Sequence, residues 1–286
     1  MRRFLALLSP KNHLVFICAV RYNNQVITEY RGEIVDKRYA EIEQLVARGK
    51  YRKAISEADK MLGSIGRDEN GVFLRYSFMT PEAFKFYEVA HPDEQITWVK
   101  NIAPLMYVKA YSLYELKRIE ECVSVLKNAI EWDPVSVKLK TELCSAYIKL
   151  RDYQSAQNAL ESAADTVLNL HDGAVYYSKL GFLAAQHGEF ERASDYLLYS
   201  VLFEETNAAL RELEYVSSKV GEIECDEDAI QAAAKRLRKN GDAFSLNPCA
   251  QKALEHLLDL YTLAGDEEKK LHYDNLLQRF KEIEEV

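Results

Sequence analysis

The sequence has 286 residues, of which 48% are apolar and 29% charged, and its formal net charge is −8. Such a chain can bury a continuous core. Its acidic excess argues against a nucleic-acid partner, because binding to phosphates depends on clustered Lys and Arg. The five cysteines are odd in number and widely spaced, without a CxxC pair. This pattern excludes thioredoxin-like chemistry and zinc ribbons, and it predicts free thiols in a reducing compartment.

Residues 1–36 lack helical repeat spacing. Their two apolar runs, HLVFICAV and QVITEY, favour a β-hairpin-like or irregular segment, with a buried helix as the alternative. A secretion leader is a weaker interpretation, because FLALL is only five residues long and Ile17 precedes Cys18, where a lipoprotein leader needs a small residue. No apolar run approaches the roughly 20 residues of a membrane-spanning helix. We therefore expect a cytoplasmic protein without a membrane partner.

The helical pattern begins at Lys37. Residues 39–62 form a degenerate first helical pair, with Ile42 and Leu45 on the first helix and Gly49 at the turn. The aromatic-rich insertion 66–95 then interrupts the pattern, and Pro81 and Pro92 each follow residues suited to helix entry. Two interpretations of the insertion stay open: packing of an irregular segment against the helices, or an aromatic lid on a binding groove.

A repeat runs through residues 105–134, 138–168 and 175–201. A small residue recurs at Ala110, Cys144 and Gly181, which are 34 and 37 residues apart, and the three extra residues are assigned to a polar turn at His171–Gly173. A period in this range indicates stacked helical hairpins. Residues 206–240 then predict two more helices, the second ending in a basic run capped by Asn240–Gly241. Residues 249–284 predict a last pair with a polar outer face, as in a terminal cap, so residues 37–286 are expected to form one continuous domain of about five hairpins.

These repeats resemble the tetratricopeptide repeat. Tyr177, Leu180 and Gly181 match the opening of its pattern, Tyr147 matches its central aromatic, and Asp133–Pro134 matches its closing dipeptide. The sequence departs from the pattern at Lys109, where the family has Leu. The resemblance implies an all-α, right-handed solenoid of helical hairpins.

The resemblance also implies a binding surface, since the first helix of each hairpin lines the groove in this family. Carried over position by position, the partner-binding groove has an aromatic row on one helix and mainly polar residues on the next two. These groove residues are Tyr107, Tyr111, Tyr114, Thr141, Ser145, Lys149, Ser178, Lys179, Phe182 and Gln186. An alternative interpretation packs two of the tyrosines against the insertion.

The family's well-known clamp for a terminal carboxylate is not expected here. Tyr107 and Tyr111 stand at its Lys and Asn positions, Glu142 at its next Asn, and only Lys179 has the right charge. No HExxH motif, phosphate-binding glycine loop or nucleophile elbow occurs, so no catalytic residue, metal site or cofactor is expected. We predict a non-catalytic scaffold that binds a protein or peptide. The alternatives are a peptide-responsive sensor and, if the N-terminus is a leader, a subunit for envelope assembly.

Overall fold

A computed structural model describes residues 37–64 and 74–286, so the predictions for residues 1–36 and 66–73 lie outside the described residues. Within these ranges the chain is all-α apart from one short sheet, which confirms the predicted fold class. The chain divides into two compact units. Unit 1 holds the described residues up to Pro134 together with Lys252–Asp274, and unit 2 holds Val135–Gln251 and Asn275–Val286. The assignment of 37–286 to one domain stays a prediction.

Five helical hairpins share one type of turn. They are α1 Lys37–Ala47 with α2 Tyr51–Ser64, α4 Ile102–Glu115 with α5 Ile119–Trp132, α6 Val137–Lys149 with α7 Tyr153–Glu161, α8 Leu170–Gln186 with α9 Phe190–Phe203, and α12 Pro248–Ala264 with α13 Glu267–Glu285. Each turn contains one residue with a positive φ: Gly49, Lys117, Arg151, Gly188 and Gly265. The next amide donates to the carbonyl five residues earlier, as Glu189 does to Ala184 at 3.0 Å. This is the Schellman helix ending, and its recurrence confirms that the predicted repeats are helical hairpins.

The first hairpin of unit 1 packs against the next. Ile42 on α1 and Ala54, Ala58 and Met61 on α2 form a buried cluster with Leu105 on α4. Alanines at i and i+4 let two helices approach closely because they add little bulk at the contact. The predicted first pair at 39–62 is therefore confirmed.

The insertion is more ordered than the sequence predicts, because it contains a small β-α-β unit. Strand β1, Leu74–Tyr76, runs parallel to β2, Ile96–Trp98, and helix α3, Pro81–Ala90, connects them. Thr80 caps α3 by accepting a hydrogen bond from the Ala83 amide at 3.1 Å, with Pro81 in the first turn. Helix entry at Pro81 is confirmed. Helix entry at Pro92 is wrong, because Pro92 lies in the turn before β2.

Aromatic rings fill the interior of this β-α-β unit. Phe84 is 1% exposed and stacks on Trp98 with ring centroids 5.3 Å apart, while Phe78 packs on both rings. The Tyr87 hydroxyl lies 2.6 Å from the Tyr76 hydroxyl and 2.9 Å from the Glu94 carboxylate. Burial raises the pKa of Tyr87, and its two hydrogen-bond partners raise it further. The described rings therefore support the packing interpretation of the insertion.

The last hairpin returns to the insertion within unit 1. The Tyr273 hydroxyl on α13 donates a hydrogen bond to the Glu82 carboxylate on α3, and Tyr273 also stacks on Tyr261 of α12. Tyr273 thus connects the last hairpin to a segment near the start of the described chain, whereas each unit of a simple repeat array contacts only its neighbours. The assignment of this hairpin as a terminal cap with a polar outer face stays a prediction.

Unit 2 contains the second and third clear repeats, in which small residues allow close helix packing. Gly181 on α8 faces Leu197 on α9, and a Cβ added at Gly181 would lie 2.6 Å from Leu197 Cγ. The predicted turn at His171–Gly173 is wrong, because these residues lie in the first turns of α8. Asn169 caps that helix by accepting from the Asp172 amide at 2.8 Å. The longer spacing of this repeat instead accommodates a 3₁₀ turn at Ala164–Thr166.

Helices α10, Asn207–Val220, and α11, Glu227–Asn240, confirm the two helices predicted for 206–240, and both pack on α9. Asp226 caps the start of α11, and Gly241 ends it with φ of 80°. Arg238 and Lys239 lie in the last turn, which confirms the predicted position of the basic run at a helix end.

Candidate functional site

The predicted aromatic row lies on α4 in unit 1. Tyr107 packs against the α1–α2 cluster, and Tyr111 is 37% exposed with its ring 6.3 Å from the ring of Tyr51. Lys117 Nζ lies 6.0 Å from the centre of the Tyr114 ring. At least two of the three tyrosines therefore contact the preceding hairpin, and Tyr111 retains the most accessible ring.

The other seven predicted groove residues lie in unit 2, on α6 and α8, and the structure distinguishes buried from accessible ones. Thr141 and Ser178 are 4% and 8% exposed, so neither offers much surface to a partner. The Thr141 hydroxyl donates to the Lys138 carbonyl at 3.1 Å, and the Ser145 hydroxyl donates to the Thr141 carbonyl at 2.9 Å. The hydroxyls of Thr141 and Ser145 therefore bond to carbonyl groups of α6 itself.

The remaining four residues differ in environment. Phe182 packs against the core cluster that contains Cys144 and Leu183. Gln186 accepts a hydrogen bond from the Tyr153 hydroxyl at 3.1 Å, which links α8 to α7. Lys149 and Gln186 are exposed, and Lys179 is half-buried. Unlike Gln186, the two lysines form no side-chain hydrogen bond or ion pair with a described residue, so they are the better placed for a polar contact with a partner.

A row of charged side chains crosses the first helices of unit 2. Helix α8 packs against both α6 and α10, and these three helices carry Glu142, Lys179 and Glu212 respectively. We call this surface the charged row. Among the described residues, none of the three side chains forms a hydrogen bond or an ion pair within 4.0 Å. The row therefore presents charged groups whose direct bonding capacity is unused.

Burial dominates the electrostatics of this row. Burial raises the pKa of Glu142, against the opposing effect of Lys179 and Lys138. Burial also raises the pKa of Glu212, against the opposing effect of Lys179 and Arg211. The Lys179 ammonium thus acts on both carboxylates without fully compensating for the loss of water around them. Charges of alternating sign follow one another across the three helices.

Part of this row could be found from the sequence. Glu142 and Lys179 occupy the same repeat position, 37 residues apart, and both lie at or near positions of the family's carboxylate clamp. Glu212 is missed because α10 lies beyond the three aligned repeats. Its place in the row depends on the packing of α10 against α8, which no sequence period reports.

Two further features of the described residues concern possible metal ligands and free thiols. In the described ranges no group of three or more His, Cys, Asp and Glu side chains could hold a metal ion. Cys122 and Cys144 are buried free thiols, which confirms their predicted packing role. Burial raises the pKa of Cys144 to about 11, so it is a poor nucleophile near neutral pH. None of the helices in residues 37–64 and 74–286 is long and apolar enough to cross a membrane.

No family model matches the sequence, and no curated protein sequence matches it. Solved structures with similar helical arrangements include PilW, a widely conserved type IV pilus biogenesis factor, at 14% identity and a TM-score of 0.48, covering 87% of this chain and 97% of that one. PilF of Pseudomonas aeruginosa is 12% identical with a TM-score of 0.48, covering 87% and 96%. The Cut9–Hcn1 hetero-tetramer of the APC/C is 14% identical with a TM-score of 0.38, covering 88% and 49%. Likenesses of this size carry no argument about partners, and the repeat assignment rests on the recurring hairpin turns.

Proposed function

We propose that this chain is a non-catalytic scaffold that binds a protein or peptide through the first helices of its hairpins, with the charged row of unit 2 as the principal contact. The observation that carries the proposal is the alternation of Glu142, Lys179 and Glu212 on three adjacent helices, without ion pairs among the described residues. A rigid helical surface with preset charges binds an extended or helical segment at little ordering cost of its own.

The physical reason is the state of the two carboxylates. Partial burial of an acid without a close partner is unfavourable, and a partner group that donates to it recovers part of that free energy. A peptide with alternating basic and acidic side chains matches the signs of the row. The exposed Lys149 is proposed as an additional contact in unit 2, and the exposed Tyr111 as a separate contact in unit 1.

A reducing, cytoplasmic location is part of the same proposal. Cys122, Cys144, Cys225 and Cys249 are free thiols in the described part of the chain, which agrees with a compartment that keeps cysteines reduced. Fractionation of the native host, followed by detection of the intact chain, tests this part of the proposal. Recovery in the cell envelope would contradict it.

The binding proposal is tested with a displayed library of random peptides selected on the immobilised full chain. Enriched peptides are synthesised, and their dissociation constants are measured by titration calorimetry. We expect Glu142→Gln, Lys179→Gln and Glu212→Gln each to weaken binding by about threefold to tenfold, as for the loss of one partly exposed charged contact.

Two matched variants serve as controls. Glu214→Gln removes an exposed carboxylate from the same helix as Glu212, and Lys235→Gln removes an exposed ammonium from α11. Both should leave affinity unchanged, and thermal unfolding confirms that every variant is folded. The proposal is overturned if no peptide is enriched over a blank surface. It is equally overturned if the row variants bind as tightly as the controls.

A further inference from the structure

The first hairpin of unit 1 contains a groove of about 590 Å³ between α1 and α2. Its floor is apolar and is formed by Ile42 and Leu45 on α1 and Met61 on α2. Charged side chains from both helices and from the turn between them also line the groove: Arg38, Arg48, Lys53 and Lys60, with Glu41 and Glu57. The groove thus combines a narrow apolar base with an excess of positive charge.

This charge contrasts with the rest of the chain. Residues 37–64 contain seven Lys and Arg and four Asp and Glu, a balance of +3, in a sequence whose net charge is −8. Local positive charge in an acidic protein attracts acidic partners toward one region and repels them elsewhere. The hairpin is therefore an electrostatically distinct part of unit 1.

The two acidic residues of the groove do not neutralise it. Glu57 is paired with Lys60 at 2.8 Å, and the pKa of Glu57 is lowered by the hydrogen bond from Lys60 and by nearby Lys53. The side chains of Arg48 and Lys53 form no hydrogen bond or ion pair with any described residue. Two cations of the groove, Arg48 in the turn after α1 and Lys53 in the first turn of α2, are therefore available to a partner.

We propose that this groove binds an acidic segment of a partner protein whose apolar side chains reach the floor while its carboxylates pair with Arg48 and Lys53. The apolar base favours a peptide over a polyphosphate, because phosphate gains nothing from contact with Ile42, Leu45 and Met61. An amphipathic helix lying in a groove between two helices is an established way of recognising peptides.

A direct test uses a fluorescent synthetic peptide of about 16 residues, since α2 with 14 residues spans about 21 Å. Its leucines follow helical spacing and its other positions are mainly glutamate. Anisotropy of the full chain with this probe should show saturable binding that weakens as salt is added. A peptide with serine in place of leucine, and the same charge, should bind about tenfold more weakly because it has no apolar contact with the floor.

The matched variants are two double substitutions that remove the same charge. Arg48→Gln with Lys53→Gln should weaken probe binding by about tenfold, because two exposed charge pairs are lost. Lys235→Gln with Lys281→Gln removes two exposed lysines of unit 2 and should leave the affinity unchanged. Circular dichroism and thermal unfolding establish that both double variants are folded.

Several outcomes would overturn the proposal. The full chain fails to bind the probe, both double variants weaken probe binding equally, or the serine peptide binds as tightly as the leucine peptide. Tighter binding of duplex DNA, inorganic polyphosphate or phosphatidylserine vesicles than of the peptide would assign the groove to a different class of ligand. Light scattering measures the oligomeric state of the chain. A dimer that dissociates in the variant with both Arg48→Gln and Lys53→Gln would assign the groove to a second copy of this chain.

Discussion

Unit 2 brings its helices together through small residues at matched repeat positions beside aromatic rings such as Tyr199 and Phe203, whereas the β-α-β unit of unit 1 has no repeat positions and is filled with aromatic rings. In unit 2, Gly181 contacts Leu197 so closely that even one added methyl group would clash. In unit 1, Phe78, Phe84 and Trp98 pack edge to face and face to face around α3. Packing at repeated positions can continue into a further repeat, whereas the packing around α3 depends on rings that occur only once along the chain.

The largest expected effect tests the aromatic core. Phe84→Ala should lower the free energy of unfolding by about 3–5 kcal/mol, because it removes a large side chain that is 1% exposed. Urea unfolding followed by far-ultraviolet circular dichroism measures this, since the signal reports the helices of both units. Phe182→Ala in unit 2 replaces a half-buried ring and should have a smaller effect. Equal losses in the two variants would remove the contrast between the units.

The next prediction tests close packing in unit 2. A Cβ at Gly173 would lie 2.3 Å from Phe203 Cδ1, so Gly173→Ala should destabilise the protein by about 1–3 kcal/mol through overpacking. Gly63→Ala in α2 is the matched control, because a Cβ there would meet nothing within 4 Å. That variant should gain about 0.5–1 kcal/mol from helix propensity. Calorimetric unfolding should show that the free energy of unfolding falls in Gly173→Ala and rises in Gly63→Ala. A change of the same sign in both variants would refute the packing argument.

A third prediction compares two carboxylates that each accept a backbone amide. Asp133 in unit 1 is fully buried and accepts from Met79 at 2.7 Å, whereas Asp152 in unit 2 is exposed and caps α7 through Ser155 at 3.0 Å. Asp133→Ala should cost about 1–3 kcal/mol, because the Met79 amide loses a partner away from water. Asp152→Ala should cost about 1 kcal/mol, as for other N-caps. Urea denaturation measures the free energy of unfolding that each variant loses. A larger loss for Asp152→Ala than for Asp133→Ala would show that burial does not govern the contribution of these hydrogen bonds.

The smallest expected effect concerns pH and the charged row. The pKa of Glu142 is raised in the folded chain, so folding takes up protons between its ordinary pKa of 4.5 and the raised value, and stability falls as pH rises through that interval. Glu142→Gln should therefore be more stable than the natural chain at pH 7. The difference should disappear below about pH 4.5, where the carboxyl is protonated in both states. Thermal unfolding across pH measures this, with Glu214→Gln as the exposed control; a less stable Glu142→Gln at pH 7 would contradict it.

The hairpins could be predicted because their small residues recur at the spacing that sets helix contacts. Ala110, Cys144 and Gly181 mark equivalent contact positions, and each is buried in the structure. The sequence does not reveal the short sheet, because strands of three residues such as Leu74–Tyr76 carry no alternation, and their pairing with Ile96–Trp98 depends on tertiary contacts. Lys117 and Arg151 likewise adopt a positive φ that favours glycine, so composition alone does not mark their turns.

The error at His171–Gly173 has a specific physical cause. His, Asp and Gly together resemble a turn, yet Asn169 begins the helix earlier, and Gly173 is small because the ring of Phe203 occupies the space beside it. The sequence predicts only part of the candidate site, because the surroundings of a residue again depend on its neighbours in the fold. Positions carried over from the family identify the helices that line a groove, but the burial of Thr141 and Ser178 depends on neighbours that the pattern does not specify.

The bond between Tyr273 and Glu82 also has a consequence for synthesis. The two residues are separated by 191 positions, so this contact cannot form while the chain between them is still being translated. At typical rates of about 5–20 residues per second, the ribosome needs roughly 10–40 s to cover that distance. During this interval the aromatic segment around α3 exists without its contact from α13.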